Sequence, residues 1–462
     1  MKHERIETSK AWAMDGSDQP RSGVPAGCFW HAEPLDRPRV PRLEGLVECD
    51  VAIIGGGYTG LSTAYHLRRA DPGLKVAVLE AERIGFGASG RNAGFVMTLF
   101  GASVPMMKML HGAARVREAH TFMVDAVSGI EETIRTNGID CDYRRNGFLK
   151  VATSADYVTR IREEVALMQS LGLSGIAWLD KQDVAARVAG AGYLGAWWEP
   201  HSGSLNPVKW LFGLAAAAQA HGAELYEGAR VAKIARTRTG YDLSTASGRV
   251  TARKIVYATN GYSHLVPGVR TKQFPAFTYV IVTAPLSDTQ VASLGWPGRE
   301  GVEDGLNFMH YYRLTPDNRL IVGGGPGVVP FGNGMQHDAY PKAWEHLEAF
   351  IARTFPQLGP VTVAYRWGGA FSMTADFTPN IGTLRQGRAY YSVGCTGHGV
   401  AMTHANGQIL RDLVLERKTD LTGLWFVDRW AMPAPPEPVR YVVTQAAAKL
   451  MALDDARCSR AR

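Results

Sequence analysis

The amino-acid sequence predicts an α/β fold, and three observations predict it. The apolar run Cys49-Asp-Val-Ala-Ile-Ile54 suits a strand buried on both faces, and the glycine-rich turn Gly55-Gly-Gly57-Tyr-Thr-Gly60 follows it directly. Apolar residues at Leu61, Ala64, Tyr65 and Leu67 then suit a helix, and Lys75-Val-Ala-Val-Leu79 reads as the next strand. Strand, turn, helix and strand take about 30 residues, the size of one βαβ unit. A length of 462 residues allows two or three domains. With 46% apolar and 20% charged residues, disorder, collagen and coiled coil are excluded as global descriptions.

The elements follow in order. Residues 1–45 are polar and proline-punctuated around Cys28-Phe29-Trp30, so they are expected to form an arm on the body. Past the βαβ unit, helical periodicity appears at Phe122, Ala126, Val127, Ile130 and Ile134, and again at Tyr157, Ile161, Val165, Met168 and Leu171. Asn206-Pro207, a cap followed by proline at the first helical position, opens a helix ending near His221-Gly222. Strands are expected at 223–227, 230–236, 241–245, 250–257, 277–284, 306–314 and 319–323. A helix at about 338–354 and a strand-turn-helix over 389–416 complete the series.

Composition narrows the chemistry. Five cysteines, odd in number and with no C-x-x-C pair, argue against a disulfide framework or zinc ribbon. The thirteen histidines form no H-E-x-x-H motif or clustered ligand set, so no metal is expected. The N-terminus has no apolar signal region and no run approaches the ~20 apolar residues of a membrane span, which points to a cytoplasmic location. The net charge of +7 comes without a dense Lys/Arg run, so no nucleic-acid partner is expected.

The first turn carries the strongest signal. Gly55 allows the tight turn, Gly57 lets backbone approach a pyrophosphate, and Gly60 lets helix and strand meet closely. The helix N-terminus offers N–H groups to phosphate, and Glu80, twenty residues past Gly60, suits the adenosine ribose hydroxyls. The segment beyond Glu80 separates the possible dinucleotides. A second stretch of small residues, Gly85-Phe-Gly-Ala-Ser-Gly90-Arg-Asn-Ala-Gly-Phe95, stands where an NAD domain would continue into further βα units. The final loop, Gly394-Cys-Thr-Gly-His-Gly399, lies between a strand and a helix and so presents another helix N-terminus.

Here the residues resemble a family. The fingerprint with "GASGRNAGF" resembles the D-amino-acid oxidase superfamily of FAD enzymes, and within it the bacterial branch that includes gamma-glutamylputrescine oxidase. The stretches "FWHAEPLDRP", "YYRLTPDNRLIVGGG" at 311–325, "RWGGAFSMTADFTPNIG" at 366–382 and "YYSVGCTGHGVAMTHANGQIL" at 390–410 extend the likeness over nearly the whole chain. The resemblance implies a Rossmann-like FAD-binding domain of glutathione-reductase type with a discontinuous α+β substrate domain on a mixed sheet. The FAD domain is expected over 46–110, 200–270 and 360–430, the substrate domain over 111–199 and 271–359, and a C-terminal tail over 431–462.

The implied reaction is oxidation of a C–N bond in a small amine or amino acid, with hydride leaving for flavin N5 and the imine hydrolysing to an aldehyde or keto acid. A gamma-glutamylputrescine-like or other primary or secondary amine is the favoured substrate, with molecular oxygen or another carrier as acceptor. N-methyl or cyclic amino acids (sarcosine- or proline-like), an amine carried on RNA, and a non-catalytic flavin-binding scaffold or redox sensor stand as alternatives. Cofactor contacts are expected from Gly55, Gly57, Tyr58, Thr59, Gly60, Glu80 and Ala81; from Gly87, Ala88, Ser89, Gly90, Arg91 and Asn92; from Val231, Ala258, Thr259 and Gly261; and from Gly394, Thr396, Gly397, His398, Gly399 and Val400. The FAD is expected to be non-covalent, because Arg91 and Gly369 stand where relatives carry an attaching His or Cys. Tyr312, Arg313 and His398 are the catalytic candidates, Arg313 either as partner of a substrate carboxylate or as a salt bridge that holds its strand to a neighbour. Asn92, Tyr311, Trp367, Phe371 and Met373 are candidates for the pocket, with Trp197 as a further apolar wall.

Overall fold

A computed structural model describes residues 12–13, 27–32, 34–384 and 387–460. Much of the expected arm, residues 1–11, 14–26 and 33, lies outside the described residues. The βαβ unit forms as its periodicity predicts: β1 is Gly45–Ile54, α1 is Tyr58–Ala70 and β2 is Val76–Leu79. After it come α2 (Ala113–Asn137), β3 (Phe148–Ala152), α3 (Ala155–Ser170), β4 (Ala177–Asp180) and β5 (Gly195–Glu199). Helix α4 (Pro207–Ala220) starts where the sequence says: the Asn206 side chain accepts from the backbone N–H groups of Val208 and Lys209, each at 3.1 Å, and Pro207 needs no partner for the N–H it lacks. Four strands come next: β6 (Glu224–Tyr226), β7 (Lys233–Arg236), β8 (Tyr241–Ser244) and β9 (Gly248–Tyr257). Beyond them are β10 (Phe274–Thr283), β11 (Gly301–Asp304), β12 (His310–Leu314), β13 (Leu320–Gly324), α5 (Pro341–Thr354) and β14 (Val363–Met373). The chain closes with β15 (Asn380–Thr383), β16 (Ala389–Val393), α6 (Gly399–Val414) and α7 (Val439–Arg460).

Two sheets organise the described residues. In the first, β7, β8, β9, β1, β2 and β6 lie side by side, with β9, β1, β2 and β6 parallel and β16 adding beside the end of β9. Helix α1 packs against α4 and α6 on this sheet. The fully buried His404 ties α1, α2 and α6 together, its ring nitrogens 3.1 Å from Ser62 Oγ and 3.0 Å from Thr133 Oγ1. The second sheet runs in the order β14-β10-β13-β12-β11-β3-β5-β4, antiparallel except where β11 meets β3. One of its faces buries Leu149, Ile281, Tyr312 and Val322 against Leu347, Phe350 and Ile351 of α5. Strand β14, expected within the cofactor-binding set, pairs along most of its length with β10 of this second sheet. We therefore retain the division into cofactor and substrate domains as a proposal, with β14 crossing between them.

Two expectations are corrected. The strand expected over 306–314 begins only at His310, because the backbone N–H groups of Asn307 and Phe308 bond Asp455 (2.8 and 3.1 Å) and that of His310 bonds Asp304 (3.0 Å) instead of a neighbouring strand. The residues expected to form a C-terminal tail contain α7, which docks on α3 through Asp455, whose carboxylate accepts from Tyr157 Oη at 2.7 Å.

Candidate active site

Strand β1 delivers Gly55 with φ +111°, where a Cβ would lie 2.5 Å from Ala258 O. Gly60 has no such conformation to adopt, but a Cβ on it would meet Gly55 O at 1.9 Å, so only glycine lets α1 start this close to β1. At the end of β2, Glu80 accepts from Gly56 N (2.8 Å) and Glu82 N (2.9 Å); burial raises its pKa against the pull of these bonds. The second small-residue turn is fastened to the first by Tyr58 N, which donates to Ser89 Oγ at 2.9 Å. Arg91 then fixes that turn to the second sheet. Its guanidinium donates to Phe86 O (2.7 Å) and Gly368 O (3.2 Å) and pairs with Asp338 at 2.9 Å. Gly369 has no side chain and packs against Arg91, whose committed guanidinium is no nucleophile; a Cβ on Gly369 would lie 3.2 Å from Arg91 Cδ.

Both turns open on one cavity of about 1170 Å³. Gly55, Gly57, Tyr58, Thr59, Glu80 and Ala81 line it at the first turn, and Gly87, Ala88, Ser89, Arg91 and Asn92 at the second. Val231, Ala258 and Thr259 line it beside them, and Thr396, Gly397, His398, Gly399 and Val400 line it at the start of α6. From the second sheet come Tyr311, Phe371, Met373 and Trp197. Asn92 faces the cavity with its side chain already committed: Nδ2 donates to Ala88 O and Ser89 O, and Oδ1 accepts from Gly94 N. It therefore shapes the turn rather than offering a free amide.

Seven candidates do not line the cavity. Gly60, Gly90, Gly261 and Gly394 lie behind it, and at three of them small size serves packing: a Cβ on Gly60 would meet Gly55 O at 1.9 Å, one on Gly90 would meet Gly85 O at 2.0 Å and one on Gly394 would meet Thr374 Cγ2 at 2.4 Å, whereas one on Gly261 would make ordinary contact. Trp367 is buried behind the second turn, its indole N–H donating to Arg91 O at 2.8 Å. Tyr312 alternates to the other face of the sheet, where it hydrogen-bonds Tyr193 among the α5-side core. Arg313 is buried beneath the second turn, donating to Ala93 O (2.6 Å) and Leu205 O (2.7 Å) with its guanidinium over the Trp30 ring. Burial pulls its pKa down to about 10, against the opposing pull of Asp142. It holds backbone rather than substrate.

His398 caps α6 with its Nδ1 buried and without a hydrogen-bond partner among the described residues, and burial lowers its pKa to about 4, so the ring is neutral at pH 7. The α6 N-terminus beside it, with Thr396 at φ +50°, presents backbone N–H groups and a positive dipole end to the cavity. Cys395 is buried with its thiol pKa raised by that burial.

Sequence reasoning missed the charged part of the floor. Strand register lines up Gly323, Tyr311, Glu303, Lys150 and Trp197 across β13, β12, β11, β3 and β5. Four of these five face the cavity, and Glu164 of α3 joins them. Lys150 Nζ donates to Glu164 Oε2 at 3.1 Å and lies 3.9 Å from Glu303 Oε1. Burial opposes the Lys150 charge, yet Glu164 and Glu303 together keep its pKa above the ordinary lysine value. None of β3, β5 and β11 was expected. At four or five residues each, their charged or aromatic members gave no alternation long enough to read.

The residues present fit FAD. Two close turns, in which a Cβ on Gly57 would reach Ser89 Oγ at 2.9 Å, form a cradle for a pyrophosphate. Glu80 is placed as a ribose acceptor, and the α6 N-terminus suits an electron-rich ring edge. Comparison with known proteins agrees. The model of the FAD-dependent oxidoreductase family DAO matches residues 50–413. Gamma-glutamylputrescine oxidoreductase of Escherichia coli (strain K12) is 36% identical over 374 residues, which cover 80% of this chain and 84% of that protein. Two solved structures share the fold. The L-proline dehydrogenase from P. horikoshii has a TM-score of 0.69 at 21% identity, with 83% of this chain and 97% of that one covered. The glycine oxidase from Geobacillus kaustophilus has a TM-score of 0.67 at 22% identity, with 83% and 100% covered. The continuous family match, the relative's identity and the doubly turned cradle coincide, and the chain belongs to the DAO family of FAD-dependent oxidoreductases.

Proposed function

We propose that this enzyme oxidises a C–N bond of a small primary or secondary amine of the gamma-glutamylputrescine type, giving an imine that hydrolyses to an aldehyde. The observation that carries this reading is the single cavity that joins the nucleotide turns to a floor bearing both aromatic walls and buried carboxylates. Bound FAD, held without a covalent link, supplies the acceptor for the electron pair. The chain itself positions and dries the amine: Phe371, Met373 and Trp197 give apolar walls, and the neutral His398 brings no competing positive charge to the reacting nitrogen. The α6 N-terminus favours the negative charge that accumulates in the site during oxidation.

An amine is favoured over an α-amino acid because Arg313, the expected partner for a carboxylate, is spent on Ala93 and Leu205. Purified protein should be yellow, and anaerobic addition of 4-aminobutylamides or diamines should bleach it, with colour returning on admission of air if oxygen is the acceptor. Persistent colour with every amine in the panel would remove this reading and favour a flavin-binding scaffold. Bleaching by sarcosine or proline alone would move it to the amino-acid alternative.

A further inference from the structure

Three charged groups meet in the cavity floor, and two of them are satisfied. Glu164 accepts from Lys150 Nζ at 3.1 Å with one oxygen and from Val104 N at 3.2 Å with the other. Lys150 gives its charge to Glu164 at that distance and lies over the Trp197 ring, 5.6 Å from its centroid. Glu303 is different. Its side chain is only 5% exposed, its nearest countercharge is Lys150 Nζ at 3.9 Å, and among the described residues it accepts no hydrogen bond. A carboxylate is an acceptor-only group, and one buried without donors is costly to keep. Glu303 nevertheless faces the cavity, on the strand between Tyr311 and Lys150, with Trp197 beyond.

We propose that Glu303 receives an ammonium group of the substrate, on a nitrogen other than the one oxidised. Three acceptor and donor groups with two negative charges and one positive charge leave a net demand for a cation. The nitrogen that loses electrons must be neutral, and a carboxylate beside it would hold it protonated, so the partner of Glu303 is the distal group. The charges around Glu303 agree with a missing counterion. Burial, with Asp304 and Glu164 adding to it, raises its pKa to about 7 despite Lys150, and an incoming ammonium supplies the field that returns it to the ionised form. The inference rests on the reading of this enzyme as an amine oxidiser, and it names the substrate class more narrowly. A monoamine would leave Glu303 unpaired, whereas a diamine or an aminoacyl diamine would fill it.

Equilibrium titration of the enzyme with its bound flavin already reduced and kept anaerobic separates these possibilities, because no ligand can then be oxidised. The probes are 1,4-diaminobutane, gamma-glutamyl-1,4-diaminobutane, N-acetyl-1,4-diaminobutane and butylamine, each titrated into wild type, Glu303→Gln and Glu303→Asp. Glutamine is isosteric and uncharged, so it removes the acceptor charge while relieving the cost of burying it. Aspartate keeps the charge on a shorter stem and serves if the glutamine variant loses FAD. Expected is a loss of at least ~10-fold in affinity for a probe with a distal ammonium in Glu303→Gln, a smaller loss in Glu303→Asp, and no change for N-acetyl-1,4-diaminobutane or butylamine. A loss confined to 1,4-diaminobutane assigns the ammonium to the second amine of a diamine, and one confined to the glutamyl compound assigns it to an amino-acid head group. Equal affinities of all three proteins for both probes that carry a distal ammonium, no binding of either of them to wild type, or an equal loss for butylamine would each overturn the proposal. Failure of the oxidation reading has a separate signature, a flavin that no amine bleaches while the affinity difference at Glu303 persists.

Discussion

Arg313 shows how far a residue's type can be from its task. In sequence it sits on a strand next to two tyrosines and invites pairing with a substrate carboxylate; in the fold it carries its charge at 3% exposure among backbone carbonyls and the face of Trp30. Replacing it with methionine should leave Ala93 O and Leu205 O without donors and cost about 2–4 kcal/mol of stability. Chemical denaturation reads that loss, and the KM for amine should move little because the side chain lies off the cavity. A large rise in KM with unchanged stability would return Arg313 to the substrate. Glu80 is the opposite case. Its place at the cavity was legible because spacing from the first turn and position at a strand end are local properties, and the two backbone N–H groups that hold it come from residues 56 and 82.

At the level of elements, the first βαβ unit was readable because every part of it is encoded within about 30 residues. Gly60 is where this local code is least forgiving. Alanine there places a methyl group 1.9 Å from Gly55 O, and backbone cannot swing away as a side-chain tip can. The Gly60→Ala protein should purify with little or no flavin absorbance and a lowered melting temperature, and a fully yellow variant of wild-type stability would contradict the fit of α1 to β1. The second sheet was read less well. Its members β10, β12 and β13 announce themselves by apolar runs, but β3, β5 and β11 are short, and the alignment of Lys150, Glu303 and Trp197 arises only when strands separated by some 50 to 150 residues come into register. No single stretch of chain contains that information. The cavity's two glycine-rich turns were therefore visible in sequence, whereas its far wall was visible only as scattered candidates such as Tyr311, Phe371 and Met373.

Across the whole molecule, the cavity is closed by parts far apart in the chain. Helix α7, from the C-terminal end, contributes Met451 to the wall and uses Asp455 to hold the 305–309 turn, accepting from Asn307 N at 2.8 Å and Phe308 N at 3.1 Å. Asp454 adds a two-point ion pair to Arg160 of α3, at 2.7 and 2.9 Å. Removal of residues 439–462 should leave the nucleotide turns intact, so FAD absorbance should persist, while the KM for amine rises by about an order of magnitude as the 305–309 turn loses its acceptors. Loss of FAD together with activity would mean that α7 supports the entire fold. The floor of that cavity also has a consequence for how such enzymes diverge. Tyr311, Glu303, Lys150 and Trp197 occupy one position on each of four neighbouring strands, and a strand that gains or loses a residue inverts every side chain beyond the change. Descendants of this scaffold that adopt new amines are thus confined to exchanging side chains along that row, and length variation is driven out to the loops between the strands.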